Sequence, residues 1–140
     1  MKSCLRKSFL ICILLINSIV VYANDVQHIS NQDLKLHLQQ GVPIIDVRTT
    51  SEWNKTGVVE GSHLIMFYDE QGKYDLNAWL AKVASVADKN KPVILICHSG
   101  GRSKQLANYL TKVVGYESVY NVKKGIVYWI KKNNPVVASE

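Results

Sequence analysis

Residues Val93–Lys104 read VILICHSGGRSK. Four apolar residues lead into Cys97, two glycines follow at positions 100 and 101, and Arg102 and Ser103 open the next segment. A short, unbroken apolar run ending at a turn is the pattern of a strand covered on both faces. Beyond it, Leu106, Tyr109, Leu110 and Val113 recur at helical spacing, and Gly115 closes the segment. The stretch therefore predicts strand, tight loop and helix (Ser103–Val114), with a thiol at the carboxyl end of a buried strand.

Working outward, the same alternation repeats. Ser30 can N-cap a helix over Asn31–Gln40, with Leu34 and Leu38 on its inner stripe. Pro43–Val47 (PIIDV) is a second buried strand. Ser51–Lys55 has room for one helical turn, and a glycine-flanked turn leads to a short strand at His63–Phe67. Leu76, Trp79, Leu80, Val83 and Val86 form the apolar stripe of a helix over Tyr74–Ala87. Ser118–Val122 reads as a strand and Gly125–Lys132 as a final helix, stopped near Asn134–Pro135. Strands alternating with helices imply an α/β fold with a mostly parallel sheet and chemistry beyond the carboxyl ends of its strands. Asp46–Arg48 and Cys97–Arg102 both follow such ends, so they can lie near each other despite their separation in the chain.

The loop CHSGGR has a physical purpose. Gly100 and Gly101 admit backbone conformations closed to other residues. A tight strand-to-helix loop can turn consecutive N–H groups inward as an anion nest, and the following helix adds its positive end. Arg102 adds a fixed charge. A thiol held there is favoured as thiolate, which is the form that attacks. Cys97 is accordingly the expected nucleophile rather than an inert core thiol. His98, Ser99, Gly100, Gly101, Arg102 and Ser103 are the expected binding loop, with Ser103 serving both as loop donor and as helix cap. Arg102 is expected to stabilise the loop or an anion, against the plainer reading of an ion pair with a nearby carboxylate. Asp46 and Arg48 are expected to brace the loop region. Sulfur transfer and phosphate-ester or arsenate chemistry both fit. Cys97 and Arg102 are separated by four residues, and a loop this short has less room for a tetrahedral dianion than for one added sulfur atom.

The ends bound the rest. Residues 1–23 carry Lys2, Arg6 and Lys7, then an apolar run, then Val21 and Ala23 before Asn24. This is the pattern of a secretory signal peptide, and the run is shorter than the roughly 20 residues that span a bilayer. Residues 24–140 then make a single domain with no stable membrane span, secreted and, by expectation, periplasmic. They hold 14 basic and 11 acidic residues, a mild net charge of +3. No basic run beyond two lysine pairs is present, which argues against nucleic-acid binding. Of three cysteines, Cys4 and Cys12 lie in the leader, so Cys97 has no disulfide partner in the domain. The four histidines show no metal-ligand spacing; His28 and His37 read as surface or partly buried, and His63 as satisfying a backbone group.

Four stretches in order resemble the rhodanese-like domain family: IIDVR (Ile44–Arg48), TGVVEGSHLI (Thr56–Ile65), CHSGGRS (Cys97–Ser103) and NVKKGIVYW (Asn121–Trp129). The chain looks like the small exported single-domain members of the phage-shock type. The resemblance implies a rhodanese-like, five-stranded parallel sheet with helices on both faces, and sulfurtransferase activity. It implies a persulfide carried on Cys97, held by loop amides, with no dissociable cofactor and no metal. A sulfane donor such as thiosulfate or a polysulfide and an acceptor such as cyanide, a thiol or a partner protein's cysteine are the implied partners. A Cys-dependent phosphatase or arsenate reductase, or a sulfur carrier without turnover, are the competing readings. His98 and Ser99 stand where efficient thiosulfate users tend to carry cations, which predicts thiosulfate as a poor donor. Val58 replaces a frequent family His, and Lys124 replaces the first glycine of a Gly-Gly pair.

Overall fold

The alternation between two faces is clearest in the central strand. In the computed structural model, which describes residues 25–139, Val93, Leu95 and Cys97 pack into one core while Ile94 and Ile96 pack into the other. The sheet has five strands: β1 (Gln27–Ile29), β2 (Ile44–Asp46), β3 (His63–Leu64), β4 (Val93–Ile96) and β5 (Val119–Val122). Their order is β1-β5-β4-β2-β3, and every pairing is parallel. Parallel pairing requires crossovers, and the helices supply them: α1 (Asn31–Gln39), α2 (Thr50–Thr56), α3 (Leu76–Val86), α4 (Gly101–Tyr109) and α5 (Gly125–Lys131). Trp79 and Val83 of α3 join Leu106 and Ala107 of α4 in the core that includes Cys97. Leu34 of α1 and Ile126 and Trp129 of α5 fill the opposite core. No helix of the described residues is long and apolar enough to cross a membrane. The expected signal peptide at 1–23 lies outside the described residues.

The structure departs from the sequence reading at four places. The strand β1 is absent from the sequence pattern because it is a three-residue edge strand with only Ile29 buried. The helix expected from Ser103 begins at Gly101, so Gly100, with φ of 93°, is its N-cap and Ser103 is an inner residue of the first turn. At its other end the helix widens into a π-helical turn, Leu110–Val114. The wider turn puts Leu110 and Thr111 inside and leaves Val113, expected inward, 66 % exposed. His63 is exposed rather than bonded to a backbone group.

Two capping boxes set the crossovers that matter for the site. Ser30 and Asp33 exchange hydrogen bonds at the start of α1. Thr49 and Glu52 do the same at the start of α2. Between β2 and α2 lies a fully buried ion pair, Arg48 with Asp46, at 2.8 Å. Arg48 Nε also donates to both Asp46 oxygens at 3.0 Å, and its Nη1 and Nη2 reach Thr56 Oγ1 at 2.8 Å and the Gly57 carbonyl at 2.9 Å. One guanidinium thus ties the C-terminal end of α2 to the sheet, with its charge and its donors satisfied.

Candidate active site

Cys97 directly follows β4, on the face covered by α4, and only 1 % of it is exposed. It forms the floor of a cavity of about 330 Å³ lined by Glu52, Lys55, Thr56, His98, Ser99 and Arg102. Its sulfur accepts the amide of Gly100 at 3.2 Å and lies 3.2 Å from the hydroxyl of Ser103. The amides of Gly101, Arg102 and Ser103 form the first turn of α4, where no preceding helical carbonyl can take them. The loop is held from beneath by α5. The amide of Ile126 donates to the Cys97 carbonyl at 2.9 Å, and that of Val127 to the His98 carbonyl at 3.1 Å. With both carbonyls drawn away toward α5, the strand-end peptides are oriented before any substrate arrives.

Two glycines make this approach feasible. Gly125, at φ of 59°, packs directly on the carbonyls of Cys97 and His98, so a side chain there would strike both. A methyl at Gly100 would strike the Lys123 carbonyl, and its φ is one that L-residues avoid. Gly101 differs, since its φ is not positive and the space around it is open. The two loop glycines, expected to be equivalent, therefore separate. Gly100→Ala is expected to cost about 3 kcal/mol in denaturant unfolding, from strain plus overpacking. Gly101→Ala is expected to be neutral or to gain up to about 1 kcal/mol. Equal effects at both positions would contradict this loop geometry.

Arg102 is the main departure from expectation within the loop. As the second residue of α4 it points to Glu52, donating from Nη1 at 2.9 Å and Nη2 at 2.6 Å. The ion-pair reading is the correct one for its side chain. Its charge bridges α4 to α2 across the cavity mouth. Glu52 was not singled out in the sequence, although the pattern Thr49-x-x-Glu52 is a capping-box signature. That carboxylate caps α2 and holds Arg102 at once. Burial opposes its charge. The hydrogen bonds from Arg102 and the Thr49 amide, with the charges of Arg102 and Arg48, prevail and bring its pKa down to about 2. A folded pKa below the unfolded value of 4.5 adds stability that is full above pH 4.5 and vanishes as pH falls to about 2. Glu52→Gln is therefore expected to lose less stability than the unaltered chain between pH 4.5 and 2, read by thermal unfolding across that window. Parallel losses would remove Glu52 from the account.

The other candidates fall into place. His98 is about half exposed, with Nδ1 3.9 Å from Glu52. Ser99 lines the cavity. The Asp46–Arg48 pair bonds Thr56 and Gly57 at the end of the helix that carries Glu52. Lys124, which stands in place of a family glycine, lies over the Tyr128 ring at 4.3 Å and lines a different cavity. Lys55 lines the cavity of Cys97 and was not anticipated. Among the described residues no cluster of His, Cys, Asp or Glu could hold a metal ion.

Residues 30–132 match the rhodanese-like domain profile. The chain is 32 % identical over 108 residues to protein HIGH ARSENIC CONTENT 1, mitochondrial, of Arabidopsis thaliana, covering 76 % of this chain and 63 % of that protein. It is 28 % identical over 122 residues to thiosulfate sulfurtransferase 18 of the same plant, covering 84 % of this chain and 88 % of that one. Among solved structures, the polysulfide-sulfur transferase homodimer of Wolinella succinogenes superposes with a TM-score of 0.64 at 24 % identity, covering 84 % of this chain and 82 % of that one.

Proposed function

Because the chain belongs to the rhodanese-like domain family, we propose that it is a sulfurtransferase that carries sulfur as a persulfide on Cys97. The observation that carries this reading is the sulfur's position. It sits on the floor of an open cavity, with the Gly100 amide directed at it from 3.2 Å. In the proposed cycle the Cys97 thiolate attacks the outer sulfur of a polysulfide or thiosulfate, and the donor's remaining fragment leaves with the bonding electron pair. The persulfide anion then rests against the Gly100 amide and the first turn of α4. A thiophilic acceptor (cyanide, a small thiol or a protein cysteine) takes the outer sulfur, and Cys97 returns to thiolate. The name of the Arabidopsis thiosulfate sulfurtransferase supports this class of chemistry for relatives of the chain.

Oxyanion chemistry is the second reading, and the name of the arsenic-related relative gives it a specific basis. The geometry weighs against it. A phosphate or arsenate dianion needs a free guanidinium, and Arg102 is neutralised by two hydrogen bonds to Glu52. Steady-state kinetics with thiosulfate or polysulfide and cyanide decide the matter. The expected result is ping-pong behaviour, with polysulfide the better donor. Turnover of an aryl phosphate, or of arsenate with a thiol reductant, without sulfur on Cys97 would favour oxyanion chemistry. Loading of Cys97 without turnover would favour a stoichiometric carrier. We also propose that residues 1–23 are a signal peptide and that the domain acts after export, as in the phage-shock type. Cleavage after Ala23, read from the mass of the exported chain, is the expected outcome, and an intact amino terminus would contradict it.

A further inference from the structure

Behind Cys97, on the side away from its cavity, a line of hydrogen bonds runs through the sheet to the surface. Ser103 is fully buried and its hydroxyl is shared. It lies 3.2 Å from the Cys97 sulfur and 2.6 Å from Oδ1 of Asn121. Asn121, 2 % exposed on β5, places Nδ2 3.1 Å from Nδ1 of His28, its register partner on the edge strand β1. His28 is exposed and lines a second cavity with Lys123 and Lys124.

Donor counting makes this line directional. A hydroxyl has one hydrogen. With Asn121 Oδ1 toward Ser103, that hydrogen goes to Asn121 at the shorter distance, and Ser103 turns lone pairs toward the sulfur. This arrangement requires Nδ1 of His28 to accept from Asn121 Nδ2, hence a neutral imidazole. A protonated His28 has N–H on both nitrogens and would set donor against donor. Turning the Asn121 amide over removes the conflict. Oδ1 then accepts from His28, Nδ2 donates to Ser103, and the Ser103 hydrogen is released to the sulfur. We infer that Asn121 is a positioning residue whose amide orientation, set by the protonation of His28, decides whether Ser103 donates a hydrogen bond to the Cys97 sulfur. One proton from solvent is taken up at His28, and no covalent bond changes.

The charged and titratable groups around His28 are few. Asp33 of α1, Lys123 and Lys124 of the β5–α5 turn, and Tyr128 of α5 share its cavity. On the side of α4, Lys112 of the π-helical turn lies 3.9 Å from Asp25, just before β1. None of these groups supplies the link to the sulfur, which passes through Asn121 and Ser103. A hydrogen bond gained by an ionised sulfur changes the ratio of thiolate to thiol by about tenfold.

The inference rests on the reading of Cys97 as a reactive thiolate, and its test does not use sulfur transfer. The full chain is alkylated with iodoacetamide, and the rate at Cys97 is followed by peptide mass spectrometry from about pH 5 to 8, a range that spans imidazole titration. In the unaltered chain the rise of rate with pH is expected to flatten over about one unit, because losing the His28 proton withdraws the Ser103 donor. His28→Asn can make either hydrogen bond to Asn121 but cannot titrate, and it is expected to restore a single uninterrupted rise. Ser103→Ala keeps the charge of His28 but breaks the line, and should also abolish the flattening. An unaltered chain with no flattened segment, or a segment that persists in either variant, overturns the inference. Should Ser103→Ala fail to fold, His28→Asn on the exposed edge strand still decides. A flattened profile in a chain that takes up no sulfur would sink the transferase reading alone.

Discussion

Cys97→Ser is expected to abolish sulfur uptake from polysulfide and to lower any sulfurtransferase turnover by at least about a thousandfold, since the only nucleophile of the proposed cycle is gone. The fold should survive. A serine hydroxyl at this position can still accept the Gly100 amide and face Ser103, the two contacts the sulfur makes. The expected change in unfolding free energy is within about 1 kcal/mol. Stability and activity should therefore separate cleanly, unlike in a core-packing mutant. A Cys97→Ser chain that retains a tenth of the turnover would place the chemistry elsewhere.

The second large effect concerns stability. Asp46→Ala leaves the Arg48 guanidinium fully buried without its counter-ion, and is expected to cost about 3–5 kcal/mol. The loss should reach the site, because Arg48 also anchors Thr56 and Gly57 at the end of α2. With α2 released, Glu52 can no longer hold Arg102, and turnover should fall with stability. Pairing Asp46→Ala with Arg48→Met removes the stranded charge and should recover part of the loss. The Glu52–Arg102 pair is roughly a quarter to a third exposed, and severing it should cost about 1 kcal/mol or less. Chemical denaturation of Asp46→Ala, Asp46→Ala with Arg48→Met, and Glu52→Gln tests the ranking. A single Asp46→Ala cost below about 1 kcal/mol would show that the buried pair does not anchor α2.

Much of this architecture is legible in the chain, for identifiable reasons. The strands β2 and β4 are buried on both faces, so their unbroken apolar runs announce them. β1 is silent because an edge strand of three residues with one buried side chain leaves no period to detect. Cys97 and its glycines stand out because their residue types are costly anywhere else. Arg102 was visible, but its partner was not, since the Glu52 contact joins residues 50 apart in sequence. Only local information, the capping box from Thr49, marks Glu52 at all. The start of α4 is hidden in the sequence for a related reason. Ser103 is a good capping residue by type, but Gly100 in the left-handed region begins the helix earlier and turns Ser103 inward, onto the sulfur and Asn121. Tertiary contacts reassigned a residue whose local preference was clear.

The cavity floor at Cys97 is proposed to receive one more sulfur. Peptide-mapped mass spectrometry of the chain after brief exposure to polysulfide, then after addition of cyanide, tests it most directly. The expected result is a gain of one sulfur atom confined to the peptide containing Cys97, lost again as cyanide takes it. A Cys97 peptide of unchanged mass under every sulfane donor, in a chain that remains folded, would contradict it.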